Sequence, residues 1–239
     1  MPAGYTHYIF GEQVLDQLDE NIKKRIMPYI DLYHIGIHGP DILFYYDVYK
    51  KNPVKSLGFE MHQLPANSFF KHAKELIKQD ATDATLAYTI GFITHFTLDS
   101  SLHPEIGVLE NTLSMTHSLL ESELDRELLV RVGRDPLTAN LTTHIHPDYT
   151  IALVIAPFFD LKAEEVDKAL HDLLFILKWL VAPTHLKRNF VLSVMKLGGM
   201  YEEYKGLLIN YEKDEHAAND INHLIEMKDE AVPLAVSLI

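Results

Sequence analysis

The chain has no cysteine among its 239 residues. Disulfides and thiolate metal sites are therefore excluded, and any metal must be held by imidazole and carboxylate, which suits zinc and its neighbours. No unbroken run of about 18 apolar residues is present, so no segment reads as a membrane-spanning helix. The opening stretch, MPAGYTHYIFGEQVLD, lacks a basic region leading into an apolar one. No secretory signal is read there, and a cytoplasmic location is expected. Clustered basic residues are also scarce. The net charge is −13 and the acidic residues are spread along the chain, which gives no clear nucleic-acid surface, because phosphate contacts need grouped Lys and Arg. Strand signals, internal repeats and low-complexity segments are wanting as well.

What is present is apolar residues, 47% of the total, at helical spacing nearly throughout. In the first helix, Tyr5 to about Asn21, Phe10, Val14, Leu15 and Leu18 share one face. A short helix over Asn21 to Ile30 follows. The segment from His34 to Pro65 reads as loop, with Gly39-Pro40-Asp41 as a turn. Helices are expected over Asn67 to Lys78 and Ala84 to Leu102, the latter ending at His103 because Pro104 disfavours helical geometry before it. Thr112 to Val132 reads as one long amphipathic helix, broken at Gly133-Arg134-Asp135-Pro136. Further helices are expected near Asp148 to Ala156, Ala163 to Val181, Leu186 to Lys205 and Asp214 to Glu230. The fold class is all-α: a single-domain multi-helix bundle over residues 1–239, with residues 1–130 carrying the chemistry and 131–239 a helical C-terminal part of the same domain.

The chemistry lies in where the 14 histidines fall. Residues four apart advance about 40° around a helix and so line one face. His117 and Glu121 form such a pair on the stripe of Leu113, Leu120, Leu124 and Leu128. Alone, they would make an ordinary buried His–Glu hydrogen bond. His95 and Asp99 repeat the arrangement on a helix that is apolar almost all round, with Gly91 one turn earlier leaving room for a close neighbour and His103 at the helix end. Two such helices favour metal ligation, since a carboxylate in a core is usually paired or ligating. His7 shares a face with Phe10, Gly11, Val14 and Leu18. Asp41 sits in a turn beside Phe44, Tyr45, Tyr46 and Tyr49, and His62 precedes the Asn67 helix. Each of these three also has a plain reading, as core histidine, turn residue or solvated loop histidine.

In chain order, His7, "GPD" ending at Asp41, "MHQ" with His62, "HFTLDSSLH" and "HSLLESE" resemble the zinc-dependent phospholipase C family, which shares its fold with P1-type single-strand nucleases. The resemblance covers Pro2 to about Glu127. It implies an all-helical fold and a cluster of two or three zinc ions, with other divalent metals as substitutes. It assigns Asp41, His62, His95 and Asp99 to one metal. Asp99 bridges to a second that takes His7, and His103, His117 and Glu121 hold a third. It further implies that a water activated on the cluster attacks phosphorus, with Asp41 as candidate general base. Secreted members add an N-terminal Trp to the His7 metal, where this chain has Met1-Pro2, and their spacing from Asp99 to His103 is longer. His72 is an available substitute for His62, and His34 and His38 are near.

The function expected is metal-dependent hydrolysis of phosphate esters of the phospholipase C kind. The substrate would be a phospholipid or another small phosphate ester, with Phe44, Tyr45 and Tyr46 (and Tyr49) lining an entry for an apolar or choline-bearing group, or simply packing helices. Peripheral membrane contact is compatible with such a substrate. The rivals are a P1-type nuclease on the same cluster and a non-catalytic, metal-stabilised helical module. His144 and His146 of "THIHPDYT" are expected to be surface residues, and Glu164, Glu165 and Asp167 a solvated helix start favoured by the helix dipole.

Overall fold

Asp19 marks the first corner of the chain: its side chain accepts the Asn21 N–H (2.8 Å) and separates α1 (Gly4–Gln17) from α2 (Glu20–Ile26). The computed structural model describes residues 4–239, apart from the Glu203 side chain. The Met1-Pro2 start, weighed above as the replacement for an N-terminal Trp, lies outside the described residues. After α3 (Ile30–Gly36) a 3₁₀ turn, Gly39–Tyr45, leads to α4 (Pro53–Met61). Then come α5 (Asn67–Gln79), α6 (Ala84–Leu113), α7 (His117–Arg131), α8 (Tyr149–Ile155), α9 (Ala163–Leu180), α10 (His185–Leu197), α11 (Tyr201–Tyr204) and α12 (Ala218–Leu238). No strand occurs among the described residues. The fold is all-α, as the sequence implies.

α6 is the axis of the bundle. It packs against α1, α3, α5, α7 and α12, which explains why a helix with apolar residues almost all round is stable in water. Its closest neighbour is α3. A Cβ on Gly91 would meet the Tyr33 carbonyl oxygen at 2.3 Å, and one on Gly36 would meet the Tyr88 oxygen at 2.5 Å. The two helices thus cross backbone to backbone at Gly36 and Gly91, and Gly91 provides the room that the sequence reading expected of it.

Several boundaries differ from expectation. The helix expected over Leu186 to Lys205 ends at Leu197, and the one expected over Asp214 to Glu230 starts at Ala218 and runs through Pro233 to Leu238. Three more differences bear on the site. α6 does not stop at His103 but runs through Pro104 to Leu113. Pro104 and Ser100 face solvent, so the hydrogen bond that proline forfeits costs little, while Leu102, Ile106 and Leu109 continue the buried stripe. The expected Thr112–Val132 helix is split. Ser114 takes a left-handed conformation (φ 54°), and Glu110 Oε1 accepts the N–H of His117 (2.9 Å), starting α7 at that residue. The segment from His34 to Pro65 is not a loop. Asn52 caps α4 through the Lys55 N–H (2.8 Å), with Pro53 at the first helical position.

One continuous hydrophobic cluster joins α1 through α9 to α12. A smaller one, centred on Ala182, Val191, Met195 and Leu208, holds α10 and α11. No helix of the described residues is long and apolar enough to cross a membrane.

Candidate metal centre

Four pieces of chain bring titratable groups to one cleft. α1 contributes His7 from its buried face, and the 3₁₀ turn contributes Asp41. His62 is the first residue past α4. α6 presents His95, Asp99 and His103 one turn apart, and α7 presents His117 and Glu121 from its first two turns. All but His95 line a cleft of about 190 Å³, with Phe44 and Phe59 as its apolar wall. His95 joins His62, Asp99 and His103 in an adjoining cavity of about 450 Å³, walled by Phe69, Phe92, Phe96, Met61 and Leu64.

Asp99 is the hub. Its Oδ1 lies 3.2 Å from His7 Nε2 and 3.4 Å from His103 Nε2; its Oδ2 lies 3.1 Å from His95 Nε2 and 3.8 Å from His62 Nε2. Asp41 Oδ1 is 2.7 Å from His62 Nε2, and Asp41 Oδ2 is 4.0 Å from His95 Nδ1. On the α7 side, Glu121 Oε1 is 3.4 Å from His117 Nε2 and 3.8 Å from His103 Nε2. The ligand atoms fall into three sets, of which the first two share His95: His7, His95 and Asp99; Asp41, His62 and His95; His103, His117 and Glu121.

The 3.1–3.4 Å separations of Asp99 from His7, His95 and His103, and of Glu121 from His117, fit zinc, whereas Asp41 and His62, at 2.7 Å, bond each other directly and would have to part around an ion. Two ligands each about 2.0–2.1 Å from a tetrahedral ion lie roughly 3.3 Å apart. Glu121 Oε2 is buried without a hydrogen-bond partner, which a carboxylate in a closed core would not tolerate. Outer contacts orient the rings as metal ligands require. Gly58's carbonyl oxygen bonds His62 Nδ1 (2.8 Å), leaving Nε2 toward the cleft, and Glu110 Oε2 stands 3.6 Å from His117 Nδ1. Burial opposes charge on Asp99, but His95 and His7 outweigh it and hold the carboxyl well below its usual range. Burial likewise disfavours charge on His62, yet Asp41 raises it to about 9. A metal would therefore have to displace a proton from His62.

The remaining sequence candidates sit elsewhere. His72 turns outward and bonds the Pro157 carbonyl (2.8 Å), so His62 and not His72 reaches the cleft. Phe44 lines the cleft and stacks on Phe59 at 4.3 Å between centroids. Tyr45 is 2% exposed, inside the core, and Tyr46 packs under Lys168; neither lines the two cavities beside the cluster. Tyr49 is exposed and bonds Asp47. His144 is not a surface residue. It is sandwiched between Tyr8 and His38, its Nε2 2.7 Å from His38 Nε2, and burial keeps both imidazoles neutral at physiological pH. His34 pairs with Glu12 and exposed His146 with Asp31. Glu165 caps the start of α9 through the Lys162 N–H (2.9 Å), as its place in an acidic first turn implies.

Sequence reasoning missed three positioning residues. Asp125, one turn beyond Glu121 on α7, accepts the N–H of Thr6 (2.8 Å), the hydroxyl of Thr6 (2.7 Å) and the N–H of Tyr5 (3.2 Å). It thereby caps α1 from another helix and fixes His7 relative to Glu121. Gly39, with φ +51°, lies so close to His95 that a Cβ would meet its ring at 2.1 Å. Glu110 holds the α6–α7 corner. Asp125 carried a signal, an acid at the inward spacing of Glu121; its partners, about 120 residues away, carried none.

The model of the family described as zinc-dependent phospholipase C matches residues 6–173, well over half of the chain. No curated protein and no solved structure matches it.

Proposed function

Starting from the premise that this chain belongs to the zinc-dependent phospholipase C family, we propose that it hydrolyses the phosphodiester of a phospholipid with a cluster of two or three zinc ions. The observation that carries the reading is the shared Asp99: one carboxylate within 3.8 Å of four imidazoles, His7, His62, His95 and His103. His7, Asp41, His62, His95, Asp99, His103, His117 and Glu121 would hold the metal. When bound, zinc supplies Lewis acidity toward a phosphate oxygen and toward water at neutral pH.

The chain's own groups do the rest. Asp41 is held below the usual carboxylate range because His62 and His95 outweigh its burial, so it is ionised at neutral pH. On the cleft wall it can accept a hydrogen bond from water, orient it and take its proton. Phe44 and Phe59 exclude solvent on one side of the cleft. His103 and His117 stay 35% and 37% exposed, so the cleft is open to a substrate, unlike a purely structural site. The single-domain reading is supported by the core that runs from α1 to α12.

The nuclease reading draws support from the aromatic wall of the larger cavity. Phe69 and Phe92, however, stack on each other at 3.8 Å, which occupies the faces a base would need, and the charge of −13 repels polyanions. The deciding experiment is metal analysis of the purified protein beside Asp99→Asn and His117→Ala, followed by assays on p-nitrophenyl phosphocholine and single-stranded DNA. Zinc lost in both variants, with hydrolysis of the phosphocholine ester alone, is expected. Wild type binding no more metal than the variants would overturn the proposal, and DNA cleavage in its place would transfer it to the nuclease.

A further inference from the structure

Between α9 and α10 lies a third cavity, of about 360 Å³, within the range of small-molecule sites and lined by apolar groups, among them Val48, Phe175, Trp179, Val191, Met195 and Tyr204. Its rim continues outward. Phe175 is 63% exposed, Leu186 84% and Leu197 91%, with Trp179, Phe190 and Val194 exposed between them. On α10, Leu186, Phe190, Val194 and Leu197 follow helical spacing and form one stripe that faces water. An apolar patch of this kind marks an interaction surface.

Charge identifies the occupant. The chain carries −13 overall, yet residues 175–205 hold five basic residues (Lys178, Lys187, Arg188, Lys196 and Lys205) against Glu202 and Glu203. Arg188 is turned inward onto the Leu208 and Ile209 carbonyls. Lys187 lies 5.8 Å from the Trp179 ring centroid with its ammonium on the Lys178 and Val181 carbonyls, and Lys205 pairs with Glu202. Exposed Lys178 and Lys196, the latter 4.6 Å from the Tyr201 ring centroid, flank the apolar stripe. Exposed Trp, Phe and Leu flanked by lysines is the composition of a helix that lies in a bilayer interface. The cavity also adjoins the candidate metal centre. Lys55 Nζ is 5.2 Å from the ring of Tyr204, which lines the apolar cavity, and 5.9 Å from the ring of Phe59, which lines the metal cleft.

We propose that the outward face of α9 and α10 docks on a phospholipid bilayer and that acyl chains enter the cavity between them, which sets the metal cleft beside the headgroup phosphates. This deepens the phospholipid reading above and rests on it for the substrate, though its test does not require turnover.

Trp179 is the single tryptophan of the chain, so its fluorescence reports on this face alone. Full-length protein is titrated with phosphatidylcholine vesicles, with and without phosphatidylglycerol, and with vesicles bearing brominated acyl chains. A blue shift, quenching by the brominated chains, and tighter binding to the anionic vesicles are expected. Leu186→Glu and Phe190→Glu, both exposed and so compatible with folding, should each weaken vesicle binding by about tenfold or more, the equivalent of one large apolar side chain left in water. Both should leave turnover of soluble p-nitrophenyl phosphocholine unchanged. Turnover of the soluble ester without any spectral response to vesicles would overturn the docking face and leave the hydrolase reading standing. Vesicle quenching without turnover of any ester would do the reverse. A concentration-dependent blue shift without lipid, accompanied by a doubled mass in light scattering, would assign the face to a second copy of the chain and overturn the proposal.

Discussion

Removing the Asp125 carboxyl isolates the device that ties α1 to α7. Three donors, the N–H groups of Tyr5 and Thr6 and the Thr6 hydroxyl, lose their acceptor in Asp125→Ala. Each buried donor left unsatisfied costs about 1–3 kcal/mol. The three are not additive, because water can enter at the end of a helix, and a total of about 3–5 kcal/mol is expected. For a chain of this size, where 1 kcal/mol moves the melting temperature by about 2–4 °C, the midpoint should fall by about 6–20 °C. Asp125→Asn keeps one carbonyl acceptor and should lose about half as much. The zinc readout separates positioning from bulk stability. At a temperature where both proteins are folded, Asp125→Ala should lose metal at the set containing His7 and keep it at His103, His117 and Glu121. A loss below about 1 kcal/mol, with zinc content unchanged, would refute the idea that this carboxyl positions His7.

Gly39→Ala should destabilise the protein by about 2 kcal/mol or more and reduce its zinc content, because the new Cβ is strained at φ +51° and meets His95; metal analysis and thermal melting check both. Gly91→Ala should cost about 1–3 kcal/mol of stability through the clash with the Tyr33 carbonyl, read as a lower urea midpoint, which an unchanged midpoint would contradict. Burial pushes the Asp125 carboxyl from its ordinary 3.8 up to about 7, against the Thr6 and Tyr5 donors that lower it. A raised folded-state pKa gives a contribution that is full below about 4 and lost as pH rises to about 7, so wild-type stability measured against Asp125→Asn should decline across that window. Stripping zinc with a chelator should lower the melting temperature, by roughly 3 kcal/mol of stability where zinc had been present at a hundredfold its dissociation constant; identical melts with and without chelator would mean that the cluster stabilises nothing by holding metal.

Helical spacing carried most of the legible information. An acid in an apolar stripe is conspicuous, and this is how Asp99 between His95 and His103, and Glu121 after His117, could be read as inward-facing. His7 was legible because Phe10, Val14 and Leu18 declare the buried face of α1. Asp41 and His62 lack a helical frame in the sequence. Their neighbourhood, interrupted by Gly39, Pro40, Pro53 and Gly58, hid both the 3₁₀ turn and α4. The course of α6 past Pro104 depended on which side of the helix faces water, and the corner at Ser114 depended on a side chain, Glu110, capping a different helix. Tyr45 looked like a lining residue because it sits in an aromatic run; the turn that aims Asp41 at the cleft aims Tyr45 into the core. His144 illustrates the same limit, since a lone loop histidine gives no sign of the ring it will stack on.

The crossing at Gly36 and Gly91 sets the dimensional accuracy of the whole centre. Asp41 follows α3 by a few residues, and Asp99 lies two turns along α6. The span between them is gauged from a joint with no side chain in it. Repacking of leucines and isoleucines elsewhere can loosen or tighten the bundle without altering that joint. Sequence drift in the hydrophobic interior should therefore register as altered stability long before it registers as a misplaced ligand. A change at either of these two glycines, like one at Gly39, instead displaces the candidate ligands themselves.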